Sequence, residues 1–93
     1  MDDVQRLKTL RIVAAVLHAD MDGRATRKQV MRLQITFKGY VGDRDERLQV
    51  LGVVLGREIA SFNEISFGEA KAMLDEPYLG SIIEYARTQL GYY

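Results

Sequence analysis

Apolar residues in the first segment of the chain recur at spacings of three and four, which is the period of an amphipathic helix. This row predicts a helix from Val4 to about Ala19, and either Asp2 or Asp3 is placed to cap its start. Further apolar residues, at positions 12 and 16, widen its surface beyond a single stripe. We therefore expect this helix to be buried on two sides, either between other helices or against a partner.

A second apolar row follows a capping box, in which the Thr26 hydroxyl accepts from an amide and the Gln29 side chain reaches back. Gly39 and Gly42 come after the row, so this helix is expected to end near Lys38 or Gly39. Its core stripe consists of Val30, Leu33 and Phe37, with Val41 as a candidate for one further turn, and Met31 and Ile35 lie beside this stripe.

The third helix is predicted to begin at Asp43, which forms an Asp variant of the capping box with Glu46. Two apolar rows follow, and such a broad stripe predicts the central, most buried helix. Gly52 inside it costs roughly 1 kcal/mol relative to alanine, which is explained if another helix packs closely there. Gly56 is the expected end. The two rows are Leu48, Leu51 and Leu55, and Val50 and Val54.

Ser66 begins a fourth helix with a third capping box, closed by Glu69, and this helix is expected to end before Pro77. A last helix is predicted from about Tyr78 to Leu90. The connection before the fourth helix carries apolar anchors at Ile59, Phe62 and Ile65. The apolar row of the last helix is Leu79, Ile82, Ile83, Ala86 and Leu90.

These patterns predict an all-α fold, a compact bundle of about five short helices in a single domain over residues 1–93. Within this domain, residues 26–76 are expected to form a central helical module, and residues 2–20 and 78–91 are expected to form the helices that flank it. No apolar run approaches the roughly 20 residues of a membrane helix, and the first residues do not have the pattern of a signal peptide. The chain has no cysteine, which excludes disulfides and zinc–thiolate sites.

The formal net charge is zero, but the charges are unevenly spread. Residues 1–47 hold ten basic and seven acidic residues, whereas residues 48–93 hold three and six. The stretch 24–38 carries five basic residues and no acid. This stretch is either a solvated helix face or a nucleic-acid-binding patch. The candidate residues for nucleic-acid binding are Arg24, Arg27, Lys28 and Arg32.

Three tyrosines of the last segment, Tyr78, Tyr85 and Tyr92, fall seven residues apart and would align on one side of a helix. They either cover the edge of the core or form an aromatic contact surface, since tyrosine is enriched at interface centres. In the second interpretation, we expect the partner-binding residues to be Tyr78, Ile82, Tyr85 and Tyr92.

The sequence predicts no catalytic residues, no cofactor and no metal site. His18 is the only histidine, and no serine lies in a nucleophile-elbow pattern. No glycine-rich phosphate loop is present. The stretch 18–29 has Asp20 and Asp22 at two ligand positions of a calcium loop, but its first and twelfth positions are His18 and Gln29. We therefore expect a protein that is not an enzyme.

One further pattern covers roughly half of the chain. The pattern begins in the second helix, continues through the two glycines after that helix, and includes the starts of the third and fourth helices. Its residues are Gln29, Leu33, Phe37, Gly39, Gly42, the run Asp43-Arg-Asp-Glu-Arg-Leu48, the run Leu55-Gly-Arg-Glu58, Ser61, Ser66, Glu69, Ala70 and Leu74. This pattern resembles a helical module of actinobacteriophage proteins, often the tail of larger recombination and single-strand-annealing proteins.

The resemblance implies a phage origin and a helical fold, and it implies no activity. Since the sequence also shows no catalytic, cofactor or metal-site pattern, the resemblance leads us to expect a non-enzymatic interaction protein. This protein would bind a host or phage protein in the cytoplasm of an infected bacterium. Such a protein would modulate or inhibit its target, as in host takeover, and a homo-oligomer is an open alternative. The other hypothesis is a DNA-binding accessory protein of phage recombination that uses the basic second helix.

Overall fold

The structure, a computed structural model that describes residues 2–91, consists of five α-helices and one short 3₁₀ helix. No β-strand occurs among the described residues, which confirms the all-α bundle of five helices. In chain order the elements are α1 (Asp3–Asp20), α2 (Arg27–Lys38), α3 (Arg44–Leu55), the 3₁₀ helix (Phe62–Glu64), α4 (Phe67–Leu74) and α5 (Leu79–Gln89). Within the described range, no helix is long and apolar enough to cross a membrane.

Local side-chain caps begin four of the five α-helices where the sequence predicts them. The Gln29 amide donates to Thr26 Oγ1 over 3.1 Å, and the Gln29 side chain accepts from the Thr26 amide. Asp43 accepts from the amide three residues on, over 3.0 Å. Ser66 and Glu69 form the same reciprocal capping box at the start of α4. Asp2 rather than Asp3 caps α1. These short contacts fix the helix starts independently of tertiary packing.

The helices form two helix–loop–helix units, α1–α2 and α3–α4, whose loops pair with each other. Arg24 and Ser66 form an isolated antiparallel bridge. Next to it, the Ala25 amide donates to the Ile65 carbonyl over 3.0 Å. The Phe67 amide donates to the carbonyl of residue 23 over 2.6 Å, so the bridge is framed by backbone hydrogen bonds on both sides. This pairing holds the start of α2 beside the start of α4.

The core lies between these units, and α4 is its most buried helix. Five of the eight residues of α4 are buried, compared with four of the twelve residues of α3. In addition, α1 packs against α3, α4 and α5, whereas α3 packs mainly against α1 and α5. The prediction that the third helix is the central, most buried one is therefore wrong. A broad apolar stripe indicates how much of a helix can be buried but not which neighbours cover it.

Helices α1 and α4 approach each other very closely at Gly68 of α4. A Cβ atom at this position would overlap the carbonyl group of Leu17, near the end of α1. The Gly68 amide also donates to the Met21 carbonyl over 3.1 Å. At Gly52, where the sequence predicts a close helix, the neighbour is instead the Arg57 carbonyl oxygen in the turn after α3, 2.9 Å from a built Cβ. The prediction for Gly52 is thus corrected to a tight turn.

Only one side of α1 is buried within the described chain. Leu7, Leu10 and Ala14 face the core, while the opposite side carries the exposed Ile12 and Val16. The prediction of burial on two sides between other helices is therefore wrong. Burial of the second side against a partner is not tested by this structure.

A test of this architecture is the substitution Gly68→Ala. The added methyl group has no room against α1, so we expect the free energy of unfolding to fall by about 2 kcal/mol, within the usual range for overpacking. Gly42→Ala is the matched control, because a Cβ there meets nothing within 4 Å. Urea denaturation measures both variants. Equal stability of the two would contradict the close approach of α1 and α4.

Candidate partner-binding surface

The outward side of α2 carries two large aliphatic side chains. The capping box sets the start of the helix, and Val30, Leu33 and Phe37 are buried. In a helix of 3.6 residues per turn, Met31 and Ile35 then lie one turn apart on the other side. They are 52% and 67% exposed, respectively. The sequence interpretation placed both beside the core stripe, and the structure shows them facing outward.

Basic side chains flank this aliphatic pair on both sides. By helical geometry, Arg27 and Lys38 lie on one side of the line that joins Met31 and Ile35, and Lys28 and Arg32 lie on the other. All four basic residues are exposed. None of them forms an ion pair with another residue in the range 2–91. Their charges are therefore uncompensated by direct contact within the described chain.

A groove of about 310 Å³ runs between α2 and the start of α3. Three of the residues that line it are basic, and no acidic residue lines it. The lining residues are Met31, Gln34, Ile35, Lys38, Arg44, Arg47 and Phe62. At its floor, the Phe62 ring packs edge-on against the buried Phe37 with ring centroids 5.6 Å apart. The groove thus combines an apolar floor with a positively charged wall.

Arg47 also holds the turn between α2 and α3. Its guanidinium donates to the carbonyls of Val41 and Gly42 over 3.1 and 2.6 Å. This bond pair fixes the start of α3 relative to the end of α2, so that Arg44 stands at the groove on a stable helix start. We call the aliphatic pair, its flanking basic residues and the groove the α2–α3 surface. Its residues are Arg27, Lys28, Met31, Arg32, Gln34, Ile35, Lys38, Arg44, Arg47 and Phe62.

The structure places all four candidate nucleic-acid-binding residues at the surface. Arg27, Lys28 and Arg32 lie on α2, and Arg24 lies in the loop before it, at the bridge to Ser66. Sequence reasoning had not joined these residues to the apolar pair or to Arg44. The sequence did contain one signal for this surface, because Met31 and Ile35 are four residues apart and lie outside the core stripe of α2. The groove itself arises from packing between helices and has no local signal.

Among residues 2–91, the members of the predicted tyrosine surface do not form a continuous exposed face. Ile82 is fully buried, so it is corrected from a contact residue to a core residue. Tyr85 is half-buried and packs against the core edge. Tyr78 is exposed, with the guanidinium of Arg6 lying 4.0 Å from its ring centroid. Tyr92 lies outside the described residues.

A larger, open cleft of about 720 Å³ lies between the middle of α1, the later part of α3 with the turn after it, and the end of α5. Its charged lining residues are Arg11, Arg57 and Glu58. The Arg11 guanidinium donates to the Val53 carbonyl over 2.9 Å, which ties α1 to α3. Arg57 is held by a buried carboxylate. Two of the three charged groups are thus engaged in holding the fold together.

The buried carboxylate is Glu69, which is 4% exposed. The guanidinium of Arg57 donates to both of its oxygens, over 3.0 and 2.8 Å. The Ser66 amide donates to Oε1 over 3.0 Å. Burial by itself raises the pKa of Glu69, but the hydrogen bonds from Arg57 and from the Ser66 amide outweigh it and lower the pKa below its ordinary value. The hydrogen bond to Glu69 raises the pKa of Arg57 in turn.

This cluster is organised for structure. His18 Nδ1 lies 3.9 Å from Glu69 Oε1, and Ser66 Oγ accepts from the Glu69 amide over 3.0 Å. The Ser66 hydroxyl caps α4, and the Glu69 carboxylate accepts hydrogen bonds from Arg57 and the Ser66 amide. Together these contacts hold the connection after α3 against the start of α4. Asp20 and Asp22, the carboxylates of the calcium-like stretch, are both exposed. No cluster of three or more metal-ligating side chains is found among residues 2–91.

Comparisons with known proteins bring no relative: no protein-family model, curated protein or solved structure matches the chain.

The Arg57–Glu69 pair yields a pH-dependent prediction. Because folding lowers the pKa of Glu69 from its ordinary 4.5, the pair adds stability above that pH and loses it as the pH falls through the folded value. Arg57 is 39% exposed, so solvent screening limits the gain to about 1 kcal/mol. Glu69→Gln should therefore lower the free energy of unfolding at neutral pH, and the difference from the wild type should shrink in acid.

Urea denaturation over a pH series measures this difference, with Glu84→Gln as the control at an exposed glutamate. A Glu69→Gln penalty that stays constant or grows as the pH falls below 4.5 would show that the charge of Glu69 does not stabilise the fold.

Proposed function

We propose that this protein is a non-enzymatic protein-interaction domain and that its binding side is the α2–α3 surface. The observation that supports this function best is the exposure of Met31 and Ile35 inside a rim of unpaired basic side chains. Interfaces commonly have an apolar centre that loses its water and a polar rim that remains hydrated. The adjoining groove adds a concave site next to this centre.

The polar groups of the fold support this choice over catalysis. The carboxylate of Glu69 is enclosed by Arg57 and the Ser66 amide, and the Ser66 hydroxyl caps α4. The volume of the groove is at the lower end of the roughly 300–1,000 Å³ typical of small-molecule sites. Its size suits one or two large side chains of a protein partner.

The setting of this interaction is also proposed. The resemblance of residues 26–76 to a helical module of actinobacteriophage recombination proteins favours a phage protein that acts in the cytoplasm of an infected bacterium. Its target would then be a host or phage protein whose activity it modulates or inhibits. No other observation supports this setting.

A second candidate is nucleic-acid binding by Arg24, Arg27, Lys28 and Arg32. The observation in its favour is that all four side chains are exposed and that none is ion-paired within the described chain. Single-strand binders, however, present aromatic rings on which bases stack. Here, the side chains between the basic residues are the aliphatic Met31 and Ile35. This composition favours a protein partner.

The proposed surface is tested by Ile35→Glu. We expect this charge at the apolar centre to weaken retention of the partner in a pull-down from nuclease-treated bacterial lysate by about 30-fold or more, the scale of an interface hot spot. Ile12→Glu is the matched control, because Ile12 on α1 is 65% exposed and Ile35 is 67% exposed. Circular dichroism verifies that both variants fold. Loss of binding by the Ile12 variant alone would move the interface to α1.

The nucleic-acid candidate is tested by a mobility-shift assay with single- and double-stranded DNA at low salt. If the four basic residues each contact a phosphate, the affinity should fall with salt with a logarithmic slope of about −3 to −4. Reversing the charge of Arg27, Lys28 and Arg32 together should then abolish the complex. Absence of any complex at low salt would eliminate this candidate.

A further inference from the structure

The α2–α3 surface also indicates the chemistry of its partner. We propose that it binds an acidic amphipathic helix, a segment whose apolar residues are flanked by aspartate or glutamate. This inference rests on the proposed function, because it specifies the partner of the same surface. Helix-in-groove recognition of this kind uses apolar anchors for affinity and charged neighbours for orientation.

Charge complementarity is the first argument. Basic residues lie on both sides of the aliphatic pair, and Lys38, Arg44 and Arg47 line the groove. The acidic residues of the first turn of α3 do not line it, and Asp43 is occupied in capping the Glu46 amide. Uncompensated positive charge around a partly apolar centre attracts carboxylates and repels other basic segments.

The dimensions provide the second argument. Met31 and Ile35 are separated by about 6 Å along the axis of α2, the rise of four residues. Side chains at positions i and i+3 or i+4 of a partner helix have the same separation. Two such side chains would contact Met31 and Ile35, and one of them would enter the groove above Phe62, which both residues line. Carboxylates on the two edges of that helix would then meet the flanking basic residues.

A second copy of the chain lacks a matching segment in residues 2–91. On α5 the exposed Glu84 is available, but the apolar row that includes Ile82 is buried. On α1 the aliphatic Ile12 and Val16 are exposed, but their charged neighbours are of both signs, with Lys8 one turn before Ile12 and Asp20 one turn after Val16. No described helix therefore offers an exposed apolar pair with acidic residues on both sides of it.

A membrane surface fits less well than a helix. Interfacial helices bury a wide apolar face in lipid. The wide apolar face of α2 is already buried in the core, and only Met31 and Ile35 project from its other side. An anionic membrane would attract the basic rim, but it would gain little from this narrow apolar centre.

The first experiment is a selection from a library of displayed peptides, using the full chain as bait and removing peptides that also bind the Ile35→Ser variant, whose new side chain is uncharged and does not itself select for acidic peptides. We expect the retained peptides to place apolar residues at i, i+3 or i+4 and to be enriched in aspartate and glutamate. Retained peptides without acidic enrichment would overturn this inference and leave the proposed function standing. Failure to retain any Ile35-dependent peptide would count against both.

The second experiment measures one retained peptide by fluorescence anisotropy. The double variant Lys38→Glu/Arg44→Glu should bind it about tenfold or more weakly, and affinity should fall as salt screens the charges. Lys8→Glu on α1 is the control and should bind normally. An unchanged affinity of the double variant would overturn the proposal. So would Ile35-dependent binding to phosphatidylglycerol vesicles with no binding to acidic peptides.

Discussion

The pairing of the two loops is the constraint on which the rest of the structure depends. The backbone hydrogen bonds around Arg24 and Ser66 join the loop after α1 to the start of α4. They bring α1 and α4 so close that only a glycine fits at position 68. Because the same loop leads directly into α2, the pairing also holds the start of α2, which its capping box defines, beside the start of α4. The apolar row of Val30, Leu33 and Phe37 then decides which side of α2 faces the core.

The exposed character of the α2–α3 surface follows from this constraint. Val30, Leu33 and Phe37 fill the core side of α2, so Met31 and Ile35 face away from it. Two exposed aliphatic side chains alone are ordinary on a protein surface. Their position among unpaired basic residues and beside a groove distinguishes this surface from the exposed side of α1, where a similar apolar exposure has no comparable charged surroundings.

Features that depend on neighbouring residues in the sequence could be predicted well. Thr26 and Gln29, Asp43, and Ser66 and Glu69 begin their helices as predicted, since a cap requires only contacts within one turn. The same holds for the end of α3 at Gly56, whose positive φ of 75° favours glycine. A further capping box, formed by Ser61 and Glu64, begins the 3₁₀ helix and was missed.

Features that depend on distant residues could not be predicted. Gly68 is special because of Leu17, about fifty residues earlier in the chain, and no local pattern contains that contact. The error at Ile82 is of a different kind, because Ile82 was assigned to a contact surface although it also belongs to the apolar row of α5, and that row is buried. Charge and spacing located the basic residues of α2. They could not reveal the groove, which requires α2, α3 and Phe62 to be placed together.

Methyl NMR spectroscopy of the intact protein with its partner helix bound tests the central claim most directly. If the α2–α3 surface is the binding side, the methyl resonances of Met31 and Ile35 should shift strongly on binding. Those of Ile12, exposed on α1, and Ile82, buried in the core, should stay in place. Large shifts at Ile12 with none at Met31 and Ile35 would contradict the account and place the interface on α1.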